Sequence, residues 1–163
     1  MEDVAKRRPG IVYVSISAFS HTGPWRNRRG FDSVVQAVSG IADEHTRDGR
    51  PRFAPANPLD YTAGYLAAFG TMVALGRRAR EGGSYHVRVS LAQAGRWLAS
   101  VPRVSANNVA ADLPAERLDQ LTMVSETPFG RLRHLAPVAH MSETQPRWDK
   151  PSVPLDHDPP EWR

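Results

Sequence analysis

The sequence predicts an α/β fold, with part of a parallel sheet, one long central helix and an extended, proline-rich C-terminal stretch. Three observations predict it. Ile11-Val12-Tyr13-Val14-Ser15-Ile16-Ser17 is β-branched and nearly continuous in apolar residues, the pattern of a strand buried on both faces of a parallel sheet. A small-residue-rich apolar run, Leu66 to Leu75, follows Pro58-Leu59-Asp60 and predicts a buried helix from about Leu59 to Arg80. Of the 14 prolines, nine lie after residue 100, so the two parts of the chain differ in kind.

Taken in order, residues 1–9 are charged and end in the turn signal Pro9-Gly10, which predicts a loop leading into the first strand. Ala18 to Trp25 then forms a loop at that strand's C-terminal end, the edge where open α/β sheets gather ligands. Phe31 to Ser39 predicts a helix: Phe31, Val34, Val35 and Val38 make one apolar stripe, Asp32 lies in the first turn, and Gly40 ends it. Ile41 to Asn57 is a polar connector with a turn at Asp48-Gly49-Arg50-Pro51. Gly64 and Gly70 are costly inside a helix and predict close packing against another backbone.

Tyr85 to Ser90 alternates apolar and polar residues, predicting a half-exposed strand, and Ser90 is placed to cap a helix from Leu91 to about Ser100. Beyond Val101 a short helix at Pro114–Leu121 and one strand over Phe129–Leu135 are expected, and Pro151 to Arg163 is expected to be extended or disordered. Residues 9–100 thus read as the folded core and 101–163 as the tail.

The chain has 163 residues, enough for one domain with a core. It contains no cysteine, which excludes disulfides, thiolate metal sites and a thiol nucleophile. No histidine spacing matches a metal motif, so no metal site is expected. The net charge is +4, dispersed in short groups rather than one block, and no nucleic-acid-binding motif accompanies it. The N-terminus is polar with no apolar segment behind it, and no apolar run reaches the roughly 20 residues of a membrane span. The expectation is a cytoplasmic protein with no membrane or nucleic-acid partner.

Three groups carry candidate chemistry. Asp60 opens the central helix, where an acid is either a cap or a carboxylate nucleophile beside free backbone N–H groups able to stabilise an oxyanion. His21 is either an acid, base or ligand, or a solvated loop residue. Arg26, Arg28 and Arg29 precede a helix start and read either as a phosphate-holding group or as a solvated basic loop. There is no Walker loop, GxGxxG or GxSxG element.

The order of motifs resembles that of the family III CoA-transferases, a group that includes formyl-CoA and carnitine CoA-transferases and the α-methylacyl-CoA racemases. Ile16-Ser17-Ala18-Phe19-Ser20-His21-Thr22-Gly23-Pro24 resembles the family's "SISGFGxxGP" strand end. Arg29-Gly30-Phe31-Asp32 through Gln36-Ala37-Val38-Ser39-Gly40 resembles "RPGFDxxxQAxSG". Asp60 to Gly64 resembles "DxxxG", and Gly83 to Leu91 resembles "GQxVDVSL". The resemblance covers residues 9 to about 98.

The resemblance implies a Rossmann-like sheet and a reaction in which Asp60 attacks an acyl-CoA thioester and passes CoA to a carboxylic acid. It implies that Arg29, Gly30, Phe31 and Asp32 contact CoA, which is a substrate rather than a resident cofactor. Where the racemase branch carries a histidine of its acid/base pair, this chain has Phe31, so racemase activity is not expected. Family members are longer and form interlocked dimers. The chain is therefore expected to correspond to a C-terminal portion, to expose sheet edge and apolar surface, and to function as a homodimer or with a chain carrying the N-terminal half. The rival reading is a non-catalytic paralogue that binds CoA or pairs with a full-length relative.

Overall fold

A computed structural model of the chain describes residues 1–104 and 112–161. These fall into two compact units, Met1–Arg103 and Val104–Arg163.

In the first unit, α1 (Glu2–Arg7) leads into β1 (Val12–Ser17), followed by α2 (Asp32–Ser39), α3 (Ile41–Glu44), α4 (Pro58–Glu81), β2 (Tyr85–Ser90) and α5 (Leu91–Ser100). The expected N-terminal loop contains α1, whose acids in the first turn and bases in the last suit the helix dipole. β1 and β2 pair in parallel, from Val12 opposite Tyr85 to Ser17 opposite Ser90. The intervening helices make the crossover that parallel strands require.

The long helix α4 packs its backbone on β2. A Cβ at Gly70 would lie 2.7 Å from Cγ1 of Val87, so only glycine lets the helix approach this closely. Gly64 departs from the expectation: nothing lies within 4 Å of the same position there. Gly95 of α5 plays the close-packing part instead, against Ile41 and Leu59. Ser90 caps α5 as its position predicted, its hydroxyl accepting from the backbone N–H of Gln93 at 3.3 Å.

The core joins Ala18, Val35, Leu59, Ala63, Leu91 and Ala94. Leu59 is fully buried, which stabilises the fold by about 2 kcal/mol. This cluster lies beneath the start of α4 and anchors it.

Two expectations about burial are corrected. The stripe of α2 was expected to face inward as Phe31, Val34, Val35 and Val38, but only Val35 is buried, and Asp32 and Gln36 join it. Polar side chains turn inward here because they satisfy backbone groups of neighbouring segments. The helix α4 is not buried all round, because Tyr61, Tyr65, Phe69 and Met72 form an exposed stripe at helical spacing. Tyr13 and Ile16 of β1 are exposed too, one on each face of a sheet that has two strands among the described residues.

In the second unit, α6 (Ala115–Gln120) precedes the antiparallel hairpin of β3 (Thr122–Thr127) and β4 (Gly130–Leu135). Gly130 turns the hairpin with φ 98°. The helix was expected at Pro114–Leu121 and β4 within Phe129–Leu135, whereas β3 was not anticipated. Ser125 of β3 and His134 of β4 hydrogen-bond across the ladder at 2.9 Å. The described residues after Leu135 form neither helix nor strand.

Candidate functional site

The candidate site is the N-terminus of α4. Pro58 occupies the first helical position, where its missing N–H costs nothing. The approach is strained: Ala56 and Asn57 both take left-handed backbone, with φ of 63° and 45°. Asparagine tolerates this conformation, whereas alanine does so at a cost of roughly 1–2 kcal/mol.

The helix start is capped from another helix. Asp32 of α2 is 2% exposed. Its Oδ2 accepts the backbone N–H of Leu59 at 2.7 Å and that of Asp60 at 3.1 Å. Its Oδ1 accepts from the side-chain amide of Gln36, one helical turn on. Gln36 Oε1 in turn accepts the backbone N–H of Ala54 at 2.8 Å. Because that N–H can only donate, the amide orientation of Gln36 is fixed, with its NH2 toward Asp32. Asp32 therefore accepts from three donors, the side-chain amide of Gln36 and two backbone N–H groups. The positive ends of two helices, α2 and α4, also meet there.

Asp60 is left in a different state. It is exposed, and among the described residues its carboxylate accepts no hydrogen bond. The expectation that it caps its own helix is thus replaced by a cap from Asp32. The free first-turn N–H groups expected beside it are engaged as well. Those of Leu59 and Asp60 go to Asp32, and that of Tyr61 goes to the Asn57 carbonyl at 3.4 Å. Gly64, one turn beyond Asp60, leaves open space on the carboxylate's own side of the helix.

The basic loop sorts its arginines. Arg26 donates to the Gly23 carbonyl at 3.4 Å, and the Arg28 guanidinium lies 5.1 Å from the centre of the Trp25 ring. Arg29 is exposed and, among the described residues, makes neither an ion pair nor a hydrogen bond. Gly30 lies where a Cβ would sit 2.9 Å from that of Ala18, so this loop closes onto the end of β1. Phe31 is 78% exposed. Of the four residues expected at CoA, Arg29 and Phe31 present open side chains, Gly30 presents backbone, and Asp32 has both oxygens engaged inside.

His21 belongs to a network on the sheet. Ser15 Oγ lies 2.8 Å from Nε2 of His21 and 2.7 Å from Nε2 of His86. One hydroxyl proton serves only one of these rings, so the other donates its own N–H. Desolvation lowers the pKa of His86 below its ordinary 6.5, with smaller contributions from Arg88, the N-terminus and His21.

A cavity of about 630 Å³ runs along β2 between Ser20, Leu66, Gly70, Arg88 and Trp97. Asp60 does not line it. Among the described residues no group of three or more histidine, aspartate or glutamate side chains is arranged to hold a metal, and no helix is long and apolar enough to cross a membrane.

Sequence reasoning missed the Asp32–Gln36 pair as a cap. Its signal was present: an aspartate and a glutamine, four apart, on a helix whose only other polar residues are the small Ser33 and Ser39.

Residues 1–115 match the sequence pattern of CoA-transferase family III. The chain is 30% identical over 115 residues to a "probable fatty acyl-CoA transferase" of Mycobacterium tuberculosis, a match covering 69% of this chain and 29% of that protein. It is 30% identical over 117 residues to the succinyl-CoA:glutarate CoA-transferase of Mus musculus, covering 71% of this chain and 26% of the relative. The crystal structure of a CaiB/BaiF family protein from Brucella suis superimposes with a TM-score of 0.55 at 25% identity, over 80% of this chain and 36% of that one. The chain thus spans about a third or less of these relatives' length.

Proposed function

Because the chain belongs to CoA-transferase family III, we propose that it carries the nucleophile of a CoA transfer between an acyl-CoA and a carboxylic acid, with Asp60 in that role. The observation that supports this reading most is the unengaged carboxylate of Asp60 on a helix start held by a different acid.

In this reaction a carboxylate oxygen of Asp60 attacks the thioester carbonyl, the C–S bond breaks, and CoA leaves as thiolate. The resulting mixed anhydride is attacked by the thiolate at the aspartyl carbonyl, which releases the donor acid and leaves an aspartyl-CoA thioester. The acceptor carboxylate attacks that thioester and expels CoA again. A last attack by the thiolate on the acceptor's carbonyl yields the new acyl-CoA and restores Asp60. The sequence is redox-neutral and needs no metal.

Arg29 is the cation we assign to CoA's phosphates, with Gly30 and Phe31 beside it. Gly64 leaves room for the thioester over the carboxylate. Anhydrides hydrolyse, so the reaction needs cover from water that Asp60 lacks on this surface. The exposed stripe Tyr61, Tyr65, Phe69 and Met72 supports docking of a further chain, either a second copy or one carrying the N-terminal half.

The test is CoA exchange between succinyl-CoA and isotopically labelled succinate, run with the chain alone and with the N-terminal half of a relative. Exchange that depends on Asp60 supports the proposal; none under either condition rejects it. The exposure of Asp60 favours one second reading, a non-catalytic chain that binds CoA or pairs with a full-length relative. Calorimetry with CoA and size-exclusion with such a relative separate the two.

A further inference from the structure

We infer that Asp32, backed by Gln36, is a positioning residue that keeps the Asp60 carboxylate free by occupying the helix N-terminus in its place. This inference rests on the proposed role of Asp60.

An acid in the first turn of a helix ordinarily turns back to the vacant N–H groups there and becomes a cap. Its lone pairs are then committed, and a carboxylate so held is a poorer nucleophile. Here the vacancy is filled from α2. Asp32 Oδ2 takes the N–H groups of Leu59 and Asp60, at 2.7 and 3.1 Å. One of these belongs to the backbone of Asp60 itself, so the same contact fixes the base from which that side chain projects. Pro58 offers no N–H, and that of Tyr61 goes to the Asn57 carbonyl. Among the described residues, the N–H groups of Leu59, Asp60 and Tyr61 are thus all taken by acceptors other than the Asp60 carboxylate.

The support behind Asp32 fits this task. Gln36 is fully buried and is held between Oδ1 of Asp32 and the N–H of Ala54. The relay thereby clamps the chain on both sides of the strained pair Ala56-Asn57. Leu59 plugs into the core while its neighbour Asp60 points out. Core, cap and strained approach together set where one exposed carboxylate stands.

In the Asp32→Asn variant an NH2 replaces one acceptor oxygen while shape is kept. The donors of Gln36, Ala54, Leu59 and Asp60 then outnumber their acceptors whichever way the amides turn. Gln36→Leu removes the backing and leaves Asp32 in place. The full chain and both variants are compared by amide hydrogen exchange at Ala54, Leu59 and Asp60. Labelling of Asp60 by a carbodiimide and an amine is read by peptide mass spectrometry, and adduct formation with succinyl-CoA is followed over time.

Asp32→Asn is expected to speed exchange of at least one of these amides about fivefold, the worth of one net hydrogen bond. It is expected to lower carbodiimide labelling of Asp60 and to slow adduct formation at saturating succinyl-CoA, with half-saturation unchanged. Unchanged exchange and labelling in a folded variant overturn the inference, as does an unchanged saturated rate. Should Asp32→Asn not fold, Gln36→Leu decides on the same measures. If the unaltered chain is labelled at Asp60 but forms no adduct with or without a relative's N-terminal half, the nucleophile assignment fails, and exchange and labelling still decide the positioning claim.

Discussion

The carboxylate of Asp32 accepts the backbone N–H of Asp60 at 3.1 Å, so the acid that caps the long helix is not the acid that begins it. Both are aspartates, 28 positions apart, and the fold assigns them opposite conditions. One is enclosed by donors and the other is open.

Asp60→Asn should leave stability nearly unchanged, within about 0.5 kcal/mol, as for an exposed side chain that accepts no hydrogen bond among the described residues. A cap at this position would lose about 1 kcal/mol. Urea unfolding of the variant against the parent chain measures the difference.

Asp32→Ala should be severe, because it strands buried backbone donors and the Gln36 amide. A loss of at least about 2 kcal/mol is expected. Gln36→Leu should lose less, about 1 kcal/mol, since Asp32 keeps both backbone contacts. The same unfolding experiment ranks the two.

The two glycines of α4 should respond in opposite senses. Gly64→Ala adds a methyl to open space and removes a flexible residue from a helix, for a gain of about 0.5–1 kcal/mol. It should also slow adduct formation at Asp60, since the methyl enters the space beside the carboxylate. Gly70→Ala should destabilise, because its Cβ would stand 2.7 Å from Val87 and push α4 off the sheet. Thermal melts distinguish the pair.

Stability should fall on acidification as His86 takes up a proton. The pKa of His86 is lowered in the folded chain, chiefly by desolvation, from the 6.5 of the unfolded state. Below that value the unfolded chain binds more protons than the folded one, so stability rises with pH and the contribution is lost as pH falls under 6.5. His86→Gln should flatten that slope. Melting temperature against pH, with NMR titration of the His86 ring, checks both.

What the sequence disclosed was local. The apolar runs of β1 and α4, the alternation of β2 and the Ser90 cap each depend on neighbours a few positions away, and they were legible. The Asp32 cap was not, because it joins a turn of α2 to residues far along the chain. Periodicity named Val34 and Val38 as inward-facing for the same reason: it counts apolar residues and does not see that Asp32 and Gln36 have backbone groups to satisfy. Likewise, the apolar character of α4 could not tell a covered face from the exposed one at Tyr61, Tyr65 and Phe69. β3 went unseen because Thr122-Met123-Val124-Ser125-Glu126-Thr127 gains its strand character from pairing with β4. Asp60 itself was legible as a position, through the motif order around it, while its freedom from hydrogen bonding follows from Asp32, which only the fold brings to it.

The most direct test of the account is to trap the intermediate on Asp60. The chain, supplied with the N-terminal half of a relative, is incubated with succinyl-CoA and treated with borohydride, which reduces an aspartyl thioester to the alcohol. Peptide mass spectrometry should then find the reduced side chain at Asp60, and at no other carboxylate, only when succinyl-CoA was present. An unmodified Asp60 during active CoA exchange, or modification at a different residue, would contradict the account.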